Sequence, residues 1–112
     1  MSEAILFEVQ GSAADPYRVT FEKRSNNKLS AYCTCPAGKN GQYCKHRFNI
    51  LDGSTKEVVS TNTAEVLVVQ SWLAGTDVEK CLSKMRALEM EAERVNKALS
   101  DAKKELSRSM LG

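Results

Sequence analysis

Three cysteines and the chain's single histidine lie close together as Cys33-Thr34-Cys35, eight further residues, then Cys44-Lys45-His46. Thiolate and imidazole are the donors that zinc takes, at about 2.3 Å from sulfur and about 2.0–2.1 Å from nitrogen. Side chains two apart in a strand share a face, so Cys33 and Cys35 can converge on one ion while Thr34 points away. The opening turn of a following helix can deliver Cys44 and His46 to the other two tetrahedral positions. Three thiolates and one imidazole fill all four, which leaves no open position for water or substrate. The expected cofactor is therefore one structural Zn2+, bound by Cys33, Cys35, Cys44 and His46. In a small unit such binding also supplies folding free energy.

Little else in the chain suggests chemistry. No glycine-rich phosphate loop is present, and no second histidine is left to act as a base. The expectation is a binding protein and not an enzyme. The fourth cysteine, Cys81, lies far from the others and reads as a small packing residue. The stretch Met1-Ser2-Glu3-Ala4-Ile5-Leu6-Phe7-Glu8 lacks the basic start and long apolar middle of a secretion signal. A cytoplasmic location is expected, where thiols stay reduced and closely spaced cysteines point to metal instead of disulfides. No stretch reaches the roughly 20 apolar residues of a membrane span, so no membrane association is expected.

The ligands need elements to position them. Ile5, Phe7 and Val9 alternate with more polar neighbours, as do Tyr17, Val19 and Phe21 after the break at 11–16. Ser25-Asn26-Asn27 suits a tight turn, and Lys28 to Cys35 reads as the returning strand of a hairpin. The first third is thus a three-stranded antiparallel meander, with the ligands beginning where its last strand ends. Pro36 to Gln42 reads as a loop. Cys44 to Leu51 places Phe48 and Leu51 at helical spacing, with Gly53 as the cap.

Ser54-Thr55-Lys56-Glu57 has capping-box spacing and predicts a helical turn through Val58 and Val59. Asn62 and Glu65 open a second helix over Ala64 to Leu73, apolar nearly all round and so expected to be buried, with Gly75 ending it. Thr76-Asp77-Val78-Glu79 is a third capping box, and it opens a run free of glycine and proline up to Gly112. Along that run Val78, Cys81, Met85, Leu88, Ala92, Val95, Leu99, Ala102 and Leu106 recur at steps of three and four, a heptad seam. Val78, Met85, Leu88, Val95, Leu99 and Leu106 are the expected oligomerisation residues, the alternative being that the long helix folds back on the 64–73 segment within one chain. Ala92 and Ala102 allow close packing but weaken a long two-stranded coil, while Lys84 and Glu89 could pair across a parallel homodimer.

The fold class read from this pattern is α+β: a small antiparallel β-sheet with a ββα zinc finger, followed by helices ending in a long heptad-patterned one. Residues 1–53 form the meander and finger, 54–75 short linking apolar helices, and 76–110 the long helix and possible coiled coil.

The string Cys-x-Cys, loop, Cys-x-His, with Pro36 after the second cysteine and Lys45 before the histidine, resembles the SWIM zinc finger over roughly residues 17–53. The preceding hairpin and following helix agree with that family's ββα arrangement. Arg47 departs from the pattern, since the family often has an apolar residue after the histidine. The resemblance implies a module linked with DNA binding or protein–protein contact, and does not imply an activity.

Charge refines the choice of partner. Residues 17–56 hold eight bases against Glu22 and Asp52, a balance of +6 within a net charge of only +2 for the whole chain. Arg18, Lys23, Arg24, Lys28, Lys39, Lys45 and Arg47, interleaved with Tyr17, Tyr32, Tyr43 and Phe48, suit DNA or RNA phosphates and bases. The alternative partner is another protein, held by the finger and the apolar helices without nucleic-acid contact. The two alternatives differ in how strongly binding should depend on salt.

Overall fold

A computed structural model describes residues 3–25 and 27–112. Met1 and Ser2 of the N-terminal stretch, and Asn26 of the Ser25-Asn26-Asn27 turn, lie outside the described residues. The architecture is α+β. Strands β1 (Glu3–Val9), β2 (Tyr17–Arg24) and β3 (Lys28–Cys33) form an antiparallel sheet in the order β1-β2-β3. The register sets Phe7 opposite Val19 and Ile5 opposite Phe21. The two-residue period therefore brings Ile5, Phe7, Val9, Val19, Phe21, Leu29 and Cys33 onto one buried face. Phe7 and Phe21 meet edge to face at 6.0 Å, the arrangement aromatic quadrupoles favour.

Helix α2 (Lys45–Leu51) and helix α3 (Val66–Leu73) pack together, and α2 also packs on β3. Ile50, Leu51, Val66, Val69 and Trp72 are all buried. The chain leaves α2 through Asp52 and Gly53, as the sequence predicts. Helix α3 departs from expectation. It follows a short 3-10 turn at Thr63–Glu65 and buries only the face carrying Val66, Val69 and Trp72, leaving Leu67 72% and Val68 42% exposed. A helix with one neighbouring layer can enclose one face only, whatever its composition.

A second departure concerns residues 57–62. The predicted helical turn through Val58 and Val59 does not form. Val58 instead makes an antiparallel bridge to Val9. Gln10 donates its N–H to the Glu57 carbonyl and Val59 donates to the Glu8 carbonyl, both at 2.8 Å. Asn62, expected to cap a helix, spends its side-chain amide on the Leu6 carbonyl at 2.8 Å and accepts from the Ser60 hydroxyl at 2.7 Å. The free edge of β1 offers unpaired backbone groups, and satisfying them outweighs a local capping box.

By packing, the chain forms two compact units, one ending at Glu79 and the other Lys80–Gly112. The last helix, α4 (Asp77–Ser109), starts where the third capping box predicts. Thr76 accepts from the Glu79 N–H at 3.2 Å, and the Glu79 carboxylate reaches the Gly75 N–H at 3.1 Å, one residue earlier than a standard box. Among the described residues no helix is long and apolar enough to cross a membrane.

Candidate metal centre

The end of β3 fixes the first ligand. Cys33 lies opposite Val19 in the sheet, and the ladder runs one residue further: Thr34 donates to the Arg18 carbonyl at 3.1 Å and its hydroxyl accepts from the Arg18 N–H at 2.9 Å. Thr34 is thus tied on the far side while Cys33 points into the core. The chain then turns. Cys35 is the N-cap of a one-turn helix, α1 (Pro36–Lys39), with Pro36 in its first turn. The loop expected over Pro36 to Gln42 therefore begins as a helical turn, for which proline's fixed φ is pre-set.

That turn has a purpose at the metal. The Gly38 N–H donates to Cys35 Sγ at 3.2 Å, and the Cys35 N–H donates to Cys33 Sγ at 3.5 Å. Such hydrogen bonds favour thiolate, the form that binds metal. Gly38 also lies against the strand end: a Cβ there would stand 2.6 Å from the Cys33 carbonyl oxygen and 2.8 Å from the Cys33 Cβ. Gly38 and Gly41, the two glycines between Pro36 and Gln42, serve different needs. Gly41, at φ 69 with nothing within 4 Å of an added Cβ, supplies backbone conformation, and Gly38 supplies close approach.

Cys44 is the N-cap of α2 and His46 is its second residue, which brings both onto the site from the opposite side. All four residues are buried, and their ligand atoms lie within 4.8 Å of one another. Cys35 Sγ is 3.4 Å from Cys44 Sγ, and His46 Nδ1 is 3.7 Å from Cys33 Sγ and 3.6 Å from Cys44 Sγ. Donors around a tetrahedral zinc stand about 3.5–3.8 Å apart, so this set fits one zinc ion bound through the imidazole Nδ1. The ion's four positions would all be filled by protein, and its role is to hold the strand end to the helix start.

The thiols are not equivalent before a cation arrives. Burial pushes Cys33 up to about 12, with the neighbouring Cys35 and Cys44 side chains adding to it against a backbone hydrogen bond at Cys35. Burial acts on Cys44 in the same direction. It is outweighed by the Arg47 backbone hydrogen bond and by the Cys35, Cys33 and His46 side chains, which bring Cys44 down to about 6. Of these two thiols, Cys44 is the one held toward thiolate, the form that binds metal. Tyr17 packs on the His46 ring at 5.1 Å.

Arg47, the departure from the expected apolar residue, has a structural occupation. Its guanidinium donates to the Ala31 carbonyl at 3.2 Å and to the Gln42 carbonyl, strapping α2 to β3 and to the ligand loop. The other bases do not gather on one face. Arg18 stands opposite Glu8 on the open side of the sheet, and Arg24 bonds Glu22 and the Tyr32 hydroxyl at 3.2 and 3.1 Å. Lys23 and Lys28 are exposed at the hairpin end, where the strands pair Arg24 with Lys28. Lys39 ends α1 and Lys45 begins α2, both exposed beside the ligands. Of the expected oligomerisation residues, Val78 and Met85 are half-buried, whereas Leu88, Val95, Leu99 and Leu106 are exposed.

The site residues missed by sequence reasoning are backbone groups: the Gly38 and Arg47 N–H groups facing sulfur. Nothing in a residue's type marks such a donor, although a glycine three residues after a ligand cysteine hints at one.

No curated protein and no solved structure matched the chain. The family model of the SWIM zinc finger matches residues 17–47, which begin with β2 and end just after the last ligand. With that match and four ligand atoms gathered at zinc-binding distances, residues 17–47 of this chain form a SWIM zinc finger built for a single structural zinc.

Proposed function

We propose that the chain is a nucleic-acid-binding module with no catalytic activity of its own, acting in the cytoplasm as a homodimer through α4. The observation that carries the reading is the basic stretch of sequence in which the ligands lie. Between Glu22 and Asp52 the sequence has six bases and no acid. Three thiolates and one divalent cation remove a single unit of charge, so residues 17–56 stay strongly basic with zinc bound.

Lys39 and Lys45 flank the ligand loop, and Tyr43 between them is exposed and stacked on Phe48 at 4.7 Å with the rings nearly parallel. That combination suits a phosphate backbone held by two ammonium groups, with a base against a ring that is already oriented. The open side of the sheet suits this role less well, since Glu8 and Glu22 sit among its bases.

One observation favours a second reading, an adaptor that holds another protein: Leu67 and Val68 are exposed side by side on α3. Salt separates the two. Fluorescence anisotropy of the zinc-loaded chain with a mixed DNA and RNA pool is expected to show binding at low salt that weakens about a hundredfold or more between 50 and 200 mM. Lys45→Ala should lower the salt slope by about one. A flat response, or no binding at low salt, rejects the nucleic-acid reading and leaves the adaptor.

A further inference from the structure

Helix α4 carries an apolar stripe with solvent on it. Leu88, Val95, Leu99 and Leu106 are 55%, 58%, 52% and 57% exposed. At its N-terminal end the stripe forms a shallow groove lined by Cys81, Lys84, Met85, Leu88, Glu89 and Ala92. We infer that a second copy of this chain covers the stripe in antiparallel orientation, in the register that sets Ala92 against Val95 of the second copy. The inference rests on the dimeric reading above and adds its direction and register.

Side-chain size argues first. In a parallel, in-register pair each seam residue meets its own copy, so Ala92 faces Ala92 and Ala102 faces Ala102. Two layers would then be filled by methyl groups alone, and underfilled layers cost stability. Reversing one helix pairs positions whose numbers add to the same total. Ala92 then meets Val95, Ala102 meets Met85, Cys81 meets Leu106 and Leu88 meets Leu99. Each small residue gains a larger partner, and the seam is filled evenly from end to end.

Charge argues second and independently. With the seam at Val78, Met85, Ala92, Leu99 and Leu106 as one set of positions, Lys84 and Glu105 flank one side, and Glu89 and Lys103 flank the other. Helical side chains lean toward their own N-terminus. In the antiparallel register this brings Lys84 toward Glu105 of the second copy and Glu89 toward Lys103 of the second copy. Two-fold symmetry doubles both pairs, giving four attractions and no repulsion. The parallel arrangement offers only Lys84 with Glu89, twice. Attractions of this kind set direction more than affinity.

Orientation has a direct chemical readout, because Cys81 is exposed and outside the zinc site. A parallel pair would juxtapose the two Cys81 thiols. The antiparallel pair separates them by 25 residues of helix, about 37 Å, far beyond disulfide reach.

The test uses the full zinc-loaded chain. Light scattering at micromolar concentration should give a dimer, and under mild oxidation the dimer should stay non-covalent. Leu106→Cys should yield a covalent dimer through Cys81, and adding Cys81→Ser should abolish it. A second series avoids new thiols: Lys84→Glu should weaken the dimer about tenfold, and adding Glu105→Lys should restore it where adding Glu89→Lys does not.

A monomer or a larger assembly by light scattering overturns the dimeric reading and the pairing together. A dimer that crosslinks through native Cys81, or is restored by Glu89→Lys, overturns the antiparallel pairing and leaves the dimer standing. A dimer indifferent to both series also overturns the pairing, since another surface would then join the copies.

Discussion

In the unit ending at Glu79, Phe7, Val19, Phe21 and Val69 are completely enclosed, and the four metal ligands are buried among them. In Lys80–Gly112 residues of the same kind, Leu88, Val95, Leu99 and Leu106, stand open to solvent. The first unit folds a sheet, two helices and a metal site against each other and so completes its own core. The second is one helix, and a lone helix has no opposite wall to bury its stripe against. The same apolar composition is spent on stability in one region and left available for association in the other.

The largest expected effect tests whether the metal belongs to the first region alone. Cys44→Ser removes the thiol that joins Cys35 and His46, and should abolish stoichiometric zinc by metal analysis and unfold the finger. The helical circular dichroism of α4 should persist, because no ligand lies on it. Unchanged metal content would show the ligand assignment to be wrong.

Next in size is a matched pair of truncations. Phe21→Ala empties a fully enclosed position and should cost about 3–5 kcal/mol in denaturant unfolding. Leu99→Ala should leave the finger's unfolding midpoint in place and reduce only the concentration dependence of the helix signal. Equal losses at the two positions would erase the contrast between the regions.

The smallest effect is at the ligand loop. Gly38→Ala pushes a methyl group against the backbone of Cys33 and should destabilise the finger by about 1–3 kcal/mol, with weaker zinc retention against a chelator. Full retention at wild-type stability would mean that α1 yields easily and that the close approach is incidental.

Much of this was legible along the chain because the signals are local. Ligand type and spacing name the metal without any knowledge of the sheet. Two-residue alternation gives β1, β2 and β3, and the threonine-to-glutamate spacing at 76–79 gives the start of α4. In each case the deciding interaction joins residues a few positions apart, so the sequence carries both partners within one short window.

Tertiary structure decided what joins distant residues. Residues 57–62 abandon a capping box to cover β1 because the unpaired edge lies some fifty positions away in sequence. Helix α3 buries one face and exposes Leu67 because only one layer packs against it. Arg47 becomes a strap because the Ala31 and Gln42 carbonyls come within reach of its guanidinium. The sequence by itself picked out the four residues whose donor atoms the fold gathers within 4.8 Å of one another. Only the fold could determine which backbone N–H groups turn toward their sulfurs, because a donor's direction is set by the chain's path and not by the residue's type.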